Sequence, residues 1–366
     1  MRVPRGAKSN NKKKNGKDMK QGLTKCVLMS AAVLMGAIQL VAHADTCTVD
    51  GVEYTYSVDA KGNATLVENT SPSSGAYSGS IKIPASLDEH PLTSIGECAF
   101  LDCEDLESVV IPDGVTSIGD CAFAYCTSLT NVVIPESVVD IGQFVFSDTA
   151  LLDEAEGDAL VLNGWLLEVT EEGESKGEIV ISEDVKRIGE SAFYQCTKLT
   201  NVTIEAGVTS IGKSAFESCT NLVAVVIPDS VTSIGEYAFS DTALLNCAAD
   251  DIVVVNGWLL GVTEVGCGKS KIEIPDGVRK IADFAFGCCT NLESVVIPES
   301  VGKIADYAFS GCTSLTNVTM AEGVTTIGDC AFVGCTNLVS VVIPDSVTKI
   351  GSGAFDYTGQ IGRAHV

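Results

Sequence analysis

One run of residues recurs with small changes along most of the chain: Ile118-Gly119-Asp120-Cys121-Ala122-Phe123, followed by Cys126, Leu129, Val132, Ile134-Pro135 and Val138. Aligned on its Ile and on the later Phe, the unit begins at Ile95, Ile118, Ile141, Ile188, Ile211, Ile234, Ile281, Ile304, Ile327 and Ile350. Most steps are 23 residues, but Ile141 to Ile188 and Ile234 to Ile281 are 47, and the long step returns after 93. The chain therefore reads as a duplicated block of three coils and one insert. A fixed period of this length marks a solenoid, in which no unit can bury its apolar face alone and each stacks on its neighbours. A globular chain of 366 residues would be expected to divide into domains, whereas a one-dimensional stack need not.

Within a coil the residue types account for their spacing. In Leu129-Thr130-Asn131-Val132-Val133-Ile134-Pro135 the Leu, Val and Ile point inward on a short strand, and Pro135 ends it by removing an amide donor. Ala122 lets the backbone close in and Phe123 fills the centre of the coil. Stacking turns each position into a column, so Phe100, Phe123, Phe146, Phe193, Phe216, Phe239, Phe286, Phe309, Phe332 and Phe355 are expected to form one aromatic spine. The fold expected is a leucine-rich repeat solenoid, β-rich, with short strands on the concave side, short helical or irregular turns on the convex side, and β-hairpin inserts.

The unit C-x-x-L-x-x-V-x-I-P-x-x-V-x-x-I-G-x-x-A-F-x-x resembles the 23-residue leucine-rich repeat of BspA-like bacterial surface antigens over about Ile81 to Thr358. The resemblance implies a secreted or cell-surface protein that mediates protein–protein interaction or adhesion to host or neighbouring cells. It supplies no shared catalytic residues, so no enzymatic activity and no cofactor are expected.

At the N-terminus, residues 1–44 read as a secretory signal peptide: a basic stretch, an apolar run from Cys26 to Ala42, and the small-x-small Ala42-His43-Ala44. They hold nine of the 23 basic residues and one of the 48 acidic ones, leaving a net charge near −33 on residues 45–366. Such a surface repels nucleic acid and anionic lipid. Extracellular proteins or glycoproteins are the expected partners, with no membrane span after cleavage. Residues 45–80 are expected to form an N-terminal β cap around the hairpin signal Asp50-Gly51, and residues 81–358 the solenoid. The last residues, 359–366, end in Gln360-Ile361-Gly362-Arg363-Ala364-His365-Val366, unlike anything upstream and consistent with translated sequencing-adapter DNA. That tail is read as non-native, on a chain cut short of its own C-terminal cap.

The inserts, near 152–180 and 245–273, each contain an Asn-Gly hairpin signal, at Asn163-Gly164 and Asn256-Gly257. The two tryptophans, Trp165 and Trp258, follow these turns. Either each packs on a neighbouring coil, or it is an exposed anchor for a partner. Cys247 and Cys267 flank the second turn almost symmetrically, where the first insert has Glu154 and Glu174, and a disulfide between them is expected. Seven other cysteines, among them Cys126, Cys219 and Cys335, share one repeat position and are expected to act as small apolar residues.

Few residues could support other chemistry. Beyond the signal segment only His90 and His365 remain, so Ser-His, Cys-His and His-metal constellations lack material. Acidic residues such as Asp120, Asp283, Asp306 and Asp329 recur without metal-loop spacing and are expected to line a solvated edge. The outward strand positions are uncharged: Asn131, Val133, Asn201, Thr203, Val226, Val296, Asn317, Thr319 and Val342, beside Val110, Ser108, Ala224, Ser294 and Ser340. That strip is either a binding face or plain β propensity. The rival to adhesion is a structural surface-layer or matrix protein with no specific ligand.

Overall fold

The computed structural model divides into two units, Met1–Ala44 and Asp45–Val366. It describes residues 44–68, 77–246 and 248–359. The expected signal peptide, Cys247 and the tail from Gln360 therefore lie outside the described residues.

The second unit is a solenoid with two ladders of parallel strands on each coil. One contains the expected Val-x-Ile strands, as in Leu106–Val110 paired with Asn131–Val133, and Glu178–Ile181, Asn201–Ile204 and Ala224–Val226 paired in turn. Side chains alternate along them, so Val202 and Val225 are buried while Thr203 and Val226 face out. The other ladder consists of two-residue strands at the Ile that begins each unit: Ser117–Ile118, Arg187–Ile188, Ser210–Ile211, Lys303–Ile304 and their equivalents. Between the ladders the chain runs through irregular turns, and the described plain coils contain no helix. The four short helices among the described residues, Ala150–Asp153, Glu171–Glu174, Ala243–Asn246 and Glu264–Cys267, all belong to the inserts.

Two backbone features hold the coils close. At the glycine after the leading Ile the backbones of successive coils touch: a Cβ on Gly212 would sit 2.7 Å from the carbonyl carbon of Gly189. Two positions per turn adopt positive φ, mostly without being glycine, for example Ser191 (55°), Ser214 (53°) and Phe284 (56°) at the first, and Gln195 (59°) and Ser218 (60°) at the second. Where another plain coil follows, the amide there donates to its carbonyl, as Ser214 does to Glu236 at 2.8 Å and Ser218 to Ser240 at 2.9 Å. Those bonds offset the steric cost of the left-handed conformation.

The phenylalanines do form columns, though not one spine. Rings stack in three runs: Phe100, Phe123 and Phe146 at 4.9 and 5.6 Å; Phe193, Phe216 and Phe239 at 4.8 and 5.2 Å; and Phe286 through Phe355 at 4.5 to 5.3 Å. Among the described residues no ring contact joins one run to the next, because a hairpin enters at each break. Tyr77, 4.6 Å from Phe100, and Tyr54, 5.8 Å from Tyr77, extend the first run toward the N-terminal strands.

Each insert starts a new block of sheet. Ala159–Leu162 and Trp165–Val169 pair antiparallel around Asn163 and Gly164, both at positive φ. The second strand then pairs parallel with Arg187–Ile188 and so opens the next ladder of short strands. Ile252–Val255 and Trp258–Val262 repeat this against Lys280–Ile281. The turn asparagine bridges backward: Asn163 Nδ2 donates to the Ile134 carbonyl at 3.4 Å and Asn256 Nδ2 to that of Ile227 at 2.9 Å. It thus supplies a donor where the Val-x-Ile ladder has stopped.

Candidate interaction surface

The outward strand positions lie in register, Val180 beside Thr203 beside Val226 and Val296 beside Thr319. Val133 is 48% exposed, Val180 62%, Val226 56% and Val342 81%. Asn131, Thr203, Asn317 and Thr319 are also exposed, whereas Asn201 and Val296 are half-buried. Asn131 donates to Ser108 Oγ at 3.1 Å and Asn201 to Glu178 Oε1 at 2.9 Å, so these two side chains are tied to the preceding strand of the ladder.

The strip is not uncharged throughout. The insert strand Lys271–Glu273 pairs with Ser294, Val295 and Val296, and Lys271 Nζ meets Glu273 Oε1 at 2.6 Å on that face. Lys82 likewise sits beside Val110. These charges divide the strip, and Glu178 adds another beside Asn201; the longest uncharged row is Val180, Thr203 and Val226, with Val223 (58% exposed) and Ala224 near it. Val180 and Val223 were absent from the sequence-derived strip. The signal for Val180 was there, in the alignment of Glu178-Ile179-Val180-Ile181 with Asn201-Val202-Thr203-Ile204.

Trp165 and Trp258 do not belong to any exposed face. They are 7% and 4% exposed, and a cation from the following coil covers each ring: Arg187 at 4.9 Å from Trp165 and Lys280 Nζ at 4.6 Å from Trp258. Pairing with the next two-residue strand fixes the indole under that side chain, which leaves it no surface for a partner. Exposed aromatics lie elsewhere: Tyr237 and Tyr307 stand on either side of half-buried Phe284 in a ladder with centroids 5.0 Å apart at each step, and Tyr357 is exposed near the end of the last coil. All three ladder residues occupy the positive-φ position after Ile-Gly-x or Ile-Ala-x, a column that sequence reasoning did not single out.

The acidic column after Ile-Gly or Ile-Ala is more than a solvated edge. Asp120, Asp283, Asp306 and Asp329 each accept the backbone N–H one coil ahead, at Gln143 (3.1 Å), Asp306 (3.3 Å), Asp329 (2.8 Å) and Ser352 (2.7 Å). Burial pushes Asp283 up to about 6, with Asp306 adding repulsion. At the first insert burial pushes Glu190 up to about 7, aided by Asp120 and Asp140. Burial also raises Glu168 to about 7 even though Ser147 Oγ donates to both its oxygens, at 2.7 and 2.8 Å. The carboxylates hardest to ionise thus gather where inserts meet coils.

The cysteine column has a polar role as well as a packing one. Buried Cys126, Cys219, Cys312 and Cys335 donate S–H to the carbonyls of Phe100, Phe193, Phe286 and Phe309, at 3.0 to 3.2 Å. Cys289, the first of its block, has Cys267 Sγ at 3.3 Å. Among the described residues no group of three or more His, Cys, Asp or Glu is placed to hold a metal ion, and no helix is long and apolar enough to cross a membrane. The one described histidine, His90, hydrogen-bonds the Gly62 carbonyl through Nδ1 at 3.0 Å.

Stacked coils, inward Leu, Val, Ile and Phe columns and a strand face open to solvent define a leucine-rich repeat solenoid. The profile described as BspA type leucine-rich repeat region matches residues 74–157, 172–250 and 265–365 in six copies. The chain belongs to that family. Among solved structures it is similar to a leucine-rich cell surface protein from Faecalibacterium prausnitzii, with 29% identity, 85% of this chain and 86% of that one covered, and a TM-score of 0.32. It is also similar to a leucine-rich repeat protein from Bacteroides ovatus, with 21% identity, coverage of 88% and 92%, and a TM-score of 0.28. The pneumococcal vaccine antigen PcpA is 13% identical, with coverage of 85% and 94% and a TM-score of 0.30. No curated protein sequence matches the chain.

Proposed function

We propose that this is a secreted or cell-surface binding protein that engages extracellular proteins or glycoproteins, in adhesion to host or neighbouring cells, through its outward strand face. Membership of a family of repeat proteins supports an interaction role, and the basic-apolar leader of the sequence supports export. One observation carries the reading: Val180 and Val226 stand 62% and 56% exposed in register on either side of Thr203, so apolar side chains are presented in a row that no part of the described chain covers. Exposed contiguous apolar surface of this kind marks interaction sites.

The test is a binding screen of the chain against matrix proteins, mucins and the chain itself. Retention of a matrix protein or mucin is the expected result. Self-association with no other capture would instead favour a structural surface-layer or matrix role.

A further inference from the structure

We infer that Cys267 and Cys289 form a redox-responsive cross-link that fastens the second insert to the coil after it. Their sulfurs lie 3.3 Å apart, and both are free thiols in this structure. No comparable pair exists at the first insert, where Glu174 stands in place of Cys267 opposite Cys196.

The placement of Cys267 is built into the insert. It is the last residue of the helix Glu264–Cys267, whose start is capped by Thr263: Gly266 N–H donates to Thr263 Oγ1 at 3.1 Å, and that hydroxyl donates to the Asp250 carbonyl at 2.7 Å. On the far side, Asn291 Nδ2 donates to the Cys267 carbonyl at 3.3 Å. Cys289 is anchored as the start of the buried column, 1% exposed, beneath Phe286. Both residues line a cavity of about 150 Å³ together with Tyr237, Leu245, Gly261 and Phe284. In the first insert Glu168 stands where this cavity has Gly261. A small reagent entering the cavity meets Cys267, the less buried of the two thiols.

The chemistry is exchange with a low-molecular-weight disulfide. Cys267, as thiolate, attacks one sulfur of the disulfide, forming a mixed disulfide and releasing the first small thiol. Cys289 loses its proton and attacks the Cys267 sulfur, releasing the second. Two S–H bonds are lost and one S–S bond forms in the protein, while the small disulfide gains two electrons and two protons.

The full chain is to be equilibrated across a series of reduced to oxidised glutathione ratios, quenched by alkylation and mapped as non-reduced peptides by mass spectrometry. The expected product lacks two hydrogens and links Cys267 to Cys289, and it melts at least about 4 °C above the reduced chain. Cys267→Ser, at the less buried position, should lose both the link and the melting difference. A bond between Cys267 and Cys247, both thiols alkylated at every ratio, or a Cys267→Ser chain that keeps the melting difference would each overturn the inference.

Discussion

Ser218 shows how a single residue is constrained by the stack. Its φ is 60°, and the same position one block later is held by Gly311 and Gly334 at 70° and 73°. The left-handed conformation costs an L residue about 1 to 2 kcal/mol, and most where the side chain is β-branched. Ser218→Gly is therefore expected to raise stability by about 1 kcal/mol, and Ser218→Val to lower it by about 2 kcal/mol, in denaturant titrations followed by circular dichroism. Equal melting of the two variants would remove the constraint. This feature was hidden in the sequence because its usual marker, glycine, is mostly missing: Cys121, Phe144, Ser191, Tyr237 and Phe284 share the first such column with nothing chemical in common. The phenylalanines were legible for the opposite reason, since one residue type recurs wherever one central volume must be filled.

The inserts behave as elements with two faces. The Asn-Gly dipeptides disclosed both hairpins, because that pair demands positive φ at consecutive residues and Asn163, Gly164, Asn256 and Gly257 all adopt it. What the sequence left open was the side to which each tryptophan turned. That depends on pairing with a two-residue strand 22 residues later, whose Ile marks the repeat without naming its partner, and on the cation that strand carries, Arg187 or Lys280. Trp258→Ala is expected to cost about 3 to 5 kcal/mol by thermal or chemical denaturation, as for other large buried aromatics. Partner binding per folded molecule should be unaltered; loss of binding with unchanged melting would return Trp258 to the surface. The thiol pair was missed for a related reason. Symmetry about the turn directed attention to Cys247, whereas stacking sets Cys267 against the next coil.

Across the whole molecule, charge and repetition act against one another. A net charge near −33 on residues 45–366 is stacked at intervals of one coil, and burial, with neighbouring carboxylates adding repulsion, raises Glu168, Glu190 and Asp283 to about 7, 7 and 6. Their folded values exceed the ordinary carboxylate range, so the folded chain holds these protons more tightly than the unfolded chain does. Stability should then fall as pH rises through about 5 to 7 and level off above that window. The chain is expected to melt higher at pH 5 than at pH 8, and Glu168→Gln with Glu190→Gln should shrink the difference. Melting that rises steadily from pH 5 to pH 8 would contradict the assignment. The architecture was legible as a whole because a 23-residue repeat permits little else, whereas the division of the outward strip by Lys82, Lys271 and Glu273 needed the register of the sheets.

The function proposed turns on contact through the row Val180, Thr203 and Val226 on the strand face of the middle block, with the rest as scaffold. Binding of the chain and of a Val180→Lys, Val226→Lys double variant to whichever matrix protein or mucin the unaltered chain retains tests it most directly. Both positions face solvent, so melting should stay within about 0.5 kcal/mol of the unaltered chain. The account predicts at least a tenfold loss of affinity with that melting preserved, about 1.4 kcal/mol at the interface. Full affinity in a double variant that melts normally would contradict it.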